Sequence, residues 1–199
     1  MRRIALPPRH APRSTRAPRL SPGAVSGDTW TVLLRLAQPD DAIAVAELHV
    51  RSWQVAYRGL LFDDYLDALQ PEVWAQRYTF ADPDPLKPAT ILAQERDVIC
   101  GFATIGPSGG EDTDSAGELL ALYVDPERHG VGVGRALIHE ARARLARQGF
   151  REACLWVLLG NERAERFYRI DGWSPDGARR PAMVAGFSVE DIRYRRPLP

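Results

Sequence analysis

Three glycines at every second position, Gly130, Gly132 and Gly134, separate an apolar run ending at Asp125-Pro126 from a helical pattern. Without a Cβ, such a turn takes positive φ and brings its backbone close to a ligand. The helix beyond it supplies unpaired N–H groups and the positive end of its dipole, a combination suited to a pyrophosphate. The segment lacks the lysine of a Walker A loop. Neither glycine register completes a G-x-G-x-x-G dinucleotide turn, since Arg135 and Leu137 fall where the third glycine is needed. A strand-to-helix turn that holds no ligand is the alternative reading.

A second stretch with chemical content covers residues 155 to 173. Five apolar residues read as a buried strand, and Asn161 then opens a helix with Glu162 in its first turn. Ala164, Phe167 and Tyr168 form the apolar stripe, and Gly172 lies just past the end. Upstream, Glu118 begins the central strand.

The first segment resembles motif A of the GNAT N-acetyltransferase superfamily, Q/R-x-x-G-x-G/A, with His129 at the Gln/Arg position and Gly132 and Gly134 at the two small ones. The second resembles motif B, in which a strand splays from its neighbour. The resemblance spans about residues 31 to 197. It implies a mixed, mostly antiparallel sheet with helices on both faces and acetyl-CoA as cofactor. It implies cofactor contacts at Leu122, Tyr123, Val124, His129, Gly130, Val131, Gly132, Val133, Gly134, Arg135, Asn161 and Tyr168. The acceptor amine is expected among Trp53, Tyr57, Phe62 and Tyr65, with Trp156 facing them; for each, ordinary core packing or helix capping is the alternative. His129 departs from the Gln or Arg usual in the family, which matters little if backbone N–H groups do most of the holding.

Acetyl transfer to an amine makes three demands. Charge developing on the thioester carbonyl needs a donor, and the resemblance points to a backbone N–H of Tyr123 or Val124 at a bulge in the central strand. The departing sulfur needs a proton source, a role assigned to Tyr168, whose ordinary pKa of ~10 keeps it protonated at neutral pH. The attacking alkylammonium, of pKa ~10.4, must lose a proton. Glu118 takes that role by analogy, or it is a strand-edge glutamate facing solvent; a neutral His129 is a further option. Arg135 either reaches a phosphate oxygen or lies exposed on its helix.

The elements that must position these residues are legible as periodicities. Thr31 to Leu36 reads as a strand, and a helix starts at Pro39-Asp40-Asp41 with Ile43, Ala46, Val50, Trp53 and Tyr57 on one face. A helical region from Asp64 to about Tyr78 is interrupted at Pro71. A hairpin joins Ala89–Gln94 to Val98–Ile105. The central strand Glu118–Val124, a helix Gly132–Gln148, a strand Ala153–Leu158, a helix Asn161–Ile170 and a final strand near Ile192–Arg196 complete one α/β domain, residues 29 to 199.

Composition narrows the classes. The chain has 199 residues and no net charge, yet residues 1 to 27 carry six arginines and no acid. The remainder therefore holds 20 basic residues against 26 acidic ones. Residues 1 to 28, rich in Arg and Pro, are expected to be a disordered extension. An acidic body disfavours nucleic acid as partner, and no apolar run is long enough to span a bilayer. Cys100 and Cys154 lie in apolar strands, as core thiols of a cytoplasmic protein do, and the four histidines show no metal-ligand spacing. The sequence reads as an acetyl-CoA-dependent N-acetyltransferase, monomeric or homodimeric, with a non-catalytic CoA-binding domain as the alternative.

Overall fold

The computed structural model describes residues 2–6, 30–82, 84, 87–109, 115–184 and 186–199. Eight strands form one sheet in the order β1-β2-β3-β4-β5-β6-β8-β7. They are β1 (Arg2–Leu6), β2 (Trp30–Leu36), β3 (Ala89–Glu95), β4 (Val98–Pro107), β5 (Gly117–Val124), β6 (Glu152–Leu158), β7 (Ser174–Val184) and β8 (Phe187–Pro197). All neighbours pair antiparallel except β5 and β6. The mixed, mostly antiparallel sheet is thus as expected.

Strand alternation sends successive side chains to opposite faces, and each face carries its own core. On one, α4 (Val133–Arg147) buries Leu137, Ile138, Ala141 and Leu145 against Ile91, Ala93, Ala103 and Leu155. On the other, α1 (Ala42–Ala56) sets Val45 and Leu48 against Leu92 and Phe102. The α1 face is rotated from its expected position. Val45, Leu48, His49 and Ser52 are buried along with Ala46 and Val50, whereas Ile43 is exposed.

The region after α1 is two short helices, α2 (Asp63–Asp67) and α3 (Pro71–Ala75), and Pro71 starts the second. Pro is tolerated in the first helical turn, where its missing N–H has no intrahelical partner. The bounds of β7 are not legible from periodicity because of its Pro, Gly and Arg content; it is an edge strand paired only to β8. At the opposite edge, Arg2–Leu6 pair with β2, so these five residues are strand and not part of a disordered extension. The physical reason is the open hydrogen-bonding edge of β2, which they satisfy. Residues 7 to 29, where the rest of that expectation falls, lie outside the described residues.

Among the described residues no helix is long and apolar enough to cross a membrane, and no cluster of His, Cys, Asp and Glu is arranged for a metal. Cys100 and Cys154 are free and buried.

Candidate active site

The strands β5 and β6 pair only at Gly117–Ala153 and Glu118–Cys154. Beyond that vertex they diverge. The opening becomes a cavity of 470 Å³, walled by Leu119–Val124 on β5 and Trp156–Leu158 on β6, and closed by the glycine turn and by α5 (Glu162–Ile170).

Divergence leaves one edge of β5 without a strand partner, and its polar groups can be placed. The Asp125 N–H donates to Cys100 O on β4 at 2.9 Å. In a planar trans peptide the Val124 C=O then points the other way, into the gap. There it accepts the Ser52 hydroxyl at 3.3 Å and His129 Nε2–H at 3.0 Å. Because a strand residue directs its N–H and C=O to the same side and the next residue to the other, Leu122 and Val124 face the gap and Tyr123 faces β4. The backbone donor expected from Tyr123 or Val124 is therefore that of Val124. The bulge also sits elsewhere than expected: Thr104 pairs with Ala121 and Ile105 with Leu119, which makes Leu120 the extra residue.

The glycine turn is built as a cradle. Asp125 caps it by accepting the Glu127 N–H at 3.0 Å and is braced by Arg51 at 2.9 Å. Gly130 and Gly132 take φ of +79° and +97°, a region open to glycine, and Gly132 is the N-cap of α4. The first intrahelical bond is Ala136 N–H to Gly132 O, so the N–H groups ahead of it in the first turn are available to a ligand. The side chains of Val131 and Val133 are buried in the core and neither residue lines the cavity, which leaves only their backbone to face a ligand. A Cβ on Gly134 would stand 3.3 Å from the Phe167 ring, which is how α5 packs close to this turn.

His129 does not reach outward. Its ring is turned back onto Val124 O, which places the proton on Nε2, and burial followed by the charge of Arg163 lowers its pKa. Asn161 caps α5 by accepting the Ala164 N–H with Oδ1 at 3.1 Å, leaving its amide NH₂ for the cavity it lines. Tyr168 lines the same cavity and is 8% exposed. Burial, then the neighbouring Tyr123, pushes its pKa up.

On the α1 side the expected acceptor residues separate. Tyr57 lines the cavity, with its hydroxyl 3.4 Å from that of Tyr123. Trp156 also lines it, with the guanidinium of Arg180 at 4.2 Å and that of Arg193 at 5.4 Å from its ring centroid. Trp53 stands behind Tyr57 and packs on Trp74 and His49. Phe62 stacks on Phe187 at 4.0 Å outside the cavity, and Tyr65 is half-buried in α2. Neither lines the cavity.

Glu118 is neither in the cavity nor at a solvent-facing edge. It is buried at the vertex, accepts the Ser108 hydroxyl at 3.3 Å, and has its pKa raised by burial. Among the lining residues that the sequence does not mark as part of a site are Ser52, Ala56 and Arg163. Ser52 and Ala56 are small residues four apart beside Trp53 and Tyr57, a spacing that marks where a helix leaves room. Arg163, two residues after the Asn161 cap, lies in the first turn of a helix already assigned to the cofactor.

This architecture has counterparts of known structure. The PaiA N-acetyltransferase of Thermoplasma acidophilum, solved with coenzyme A, superposes with a TM-score of 0.64 at 20% identity, covering 83% of this chain and 98% of that one. YncA of Salmonella typhimurium, solved with acetyl-CoA, gives 0.61 at 18%, covering 84% and 94%. In sequence, the uncharacterized N-acetyltransferase YuaI of Bacillus subtilis is 32% identical over 162 residues, which is 81% of this chain and 90% of that protein. A mycothiol acetyltransferase of Geodermatophilus obscurus is 34% identical over 86 residues, 42% of this chain and 28% of the other. The model of the Acetyltransferase (GNAT) family matches residues 43–173, from α1 through β3 to β6, the glycine turn and α5, and this chain belongs to that family.

Proposed function

We propose that this chain moves an acetyl group from acetyl-CoA to a primary amine of a small molecule, peptide or protein, by direct attack within a ternary complex. The observation that carries the reading is the divergence of β5 from β6, with the turn N–H groups at one end of the cavity and Tyr168, Tyr123 and Tyr57 at another part of its wall. The cradle fits the cofactor: a Cβ on Gly130 would meet nothing within 4 Å, and the β5 edge offers unpaired amide groups to an extended, amide-bearing arm. Bound there, acetyl-CoA supplies an acyl group activated as a thioester.

The chain's own residues then have separable tasks. The N–H groups of the first turn of α4 hold phosphate oxygens, and the Val124 N–H lies on the edge from which a carbonyl oxygen can be polarised. Tyr168 keeps its proton throughout the neutral range and donates a hydrogen bond toward the leaving sulfur. Full transfer from a phenol of raised pKa to a thiolate of pKa ~8.5 is uphill, so the net proton on the thiol is the one released by the amine. A purely binding domain has no use for a buried phenol aimed into the cavity, which favours transfer over the non-catalytic reading. The buried free thiols Cys100 and Cys154 fit a reducing, cytoplasmic setting.

Free-thiol release from acetyl-CoA, measured over amino acids, polyamines, aminoglycosides and peptides, tests the activity. Tyr168→Phe should lower kcat by at least about tenfold, the effect of removing one hydrogen-bond donor to developing charge, and leave coenzyme A affinity within about threefold. Undiminished turnover would remove the phenol from the mechanism; absence of cofactor binding by the parent chain would remove the whole reading.

A further inference from the structure

Arginines in this domain are mostly tied to carboxylates: Arg51 to Asp125, Arg128 to Glu95, Arg142 to Asp171 and Arg169 to Glu165. Two that line the cavity are different. Arg135, in the first turn of α4, and Arg163, in the first turn of α5, make no ion pair with any described residue. Both are exposed. The first turn of α4 packs on α5, where the Gly134 backbone faces Phe167, and Arg163 lies near enough to His129 for its charge to act on that ring. The body of this protein has more acidic than basic residues, so two uncompensated guanidinium groups at one end of one cavity are a local reversal of charge.

Coenzyme A carries three phosphoryl groups. Its diphosphate matches the N–H groups between Gly130 and Arg135. The third, on the ribose 3′ oxygen, is a separate dianion for which no N–H groups remain in that turn, and a guanidinium fork suits it. We propose that Arg163, with Arg135 beside it, binds the 3′-phosphate and makes this chain select coenzyme A over 3′-dephospho-coenzyme A. The inference rests on the cofactor reading above and adds a specificity that the reading does not contain.

Isothermal titration of the full chain with the two ligands tests it. Coenzyme A should bind about tenfold tighter than the dephospho form, the scale of two solvent-exposed, charge-assisted contacts. Raising the salt from 50 to 500 mM should shrink that ratio. Arg163→Gln should cut it to about threefold or less, and the double change with Arg135→Gln should bring it near one, with the affinity for dephospho-coenzyme A unchanged; both side chains are exposed, so the fold should be kept. Arg163→Lys should retain part of the preference. Equal affinity of the parent chain for both ligands would overturn this inference while leaving the cofactor reading intact. So would an Arg163→Gln that weakens both ligands by the same factor, because the arginine would then serve the diphosphate. A parent chain that binds neither ligand would sink the cofactor reading and this inference with it.

Discussion

Glu118 shows how one side chain can be well placed in sequence and displaced in space. It begins the central strand, where a carboxylate could serve an amine, but it lies at the vertex where β5 and β6 still pair and does not line the cavity. Its environment makes a stability statement. Burial raises its folded pKa above the ordinary 4.5, so the favourable contribution is complete below that value and is lost as pH rises through the folded pKa. Above that folded pKa the chain holds a buried carboxylate that would be better neutral. Glu118→Gln, which can still accept from Ser108, should therefore raise Tm at pH 7 by ~2 °C once solvent screening is allowed for. The gain should shrink toward pH 4, and the pH–rate profile should match the parent's. A lower Tm at pH 7 would overturn the burial argument, and a vanished acidic limb of kcat/KM would return the residue to the mechanism.

At the scale of an element, α5 links folding to the cofactor through a single amide. Asn161 spends its Oδ1 on the helix cap and keeps its NH₂ for the cavity. The two functions can be separated chemically. Asn161→Asp keeps the cap oxygen and loses the donor, and should hold Tm while weakening coenzyme A binding several-fold. Asn161→Ala loses both and should also cost about 1 kcal/mol of stability. Equal cofactor affinity in the Asp variant and the parent would show that the amide donor does not face the ligand. Periodicity located α4, β5, β6 and α5 well, because each is long and strongly patterned. It gave no bounds for β7, whose Pro175, Gly177 and Pro181 are allowed because the strand is an edge.

Across the whole molecule, the sheet separates the core under α4 from an aromatic one under α1, and the latter contains a histidine. His49 lies among Trp53, Trp74, Phe102 and Tyr123, with Nδ1 2.5 Å from the Tyr78 hydroxyl. Burial, and then the charge of Arg77, lowers its pKa to about 3. For a depressed histidine the stabilisation is present above the unfolded value of ~6.5 and is lost as pH falls toward the folded one. Urea midpoints measured from pH 7 to pH 4 should fall in the parent chain. In His49→Phe they should fall less, by an amount on the order of 2–3 kcal/mol over that interval. Parallel slopes would mean that His49 is not buried neutral.

The sequence alone was sufficient to place the glycine turn, the Asn161 cap, Tyr168 and the order of the elements around them. These rest on local rules: glycine at positive φ, an oxygen ahead of a helix, apolar residues at the period of a strand or helix. Tertiary structure decided which groups face the cavity. It turned His129 inward onto Val124, sank the side chains of Val131 and Val133, and put Trp53 behind Tyr57. It left Phe62 and Tyr65 outside and Glu118 at the vertex, and brought Arg163 to the cavity. No spacing rule could have specified this, because the direction of each group depends on where two strands stop pairing and where a bulge falls. Those are properties of contacts between segments far apart in the chain.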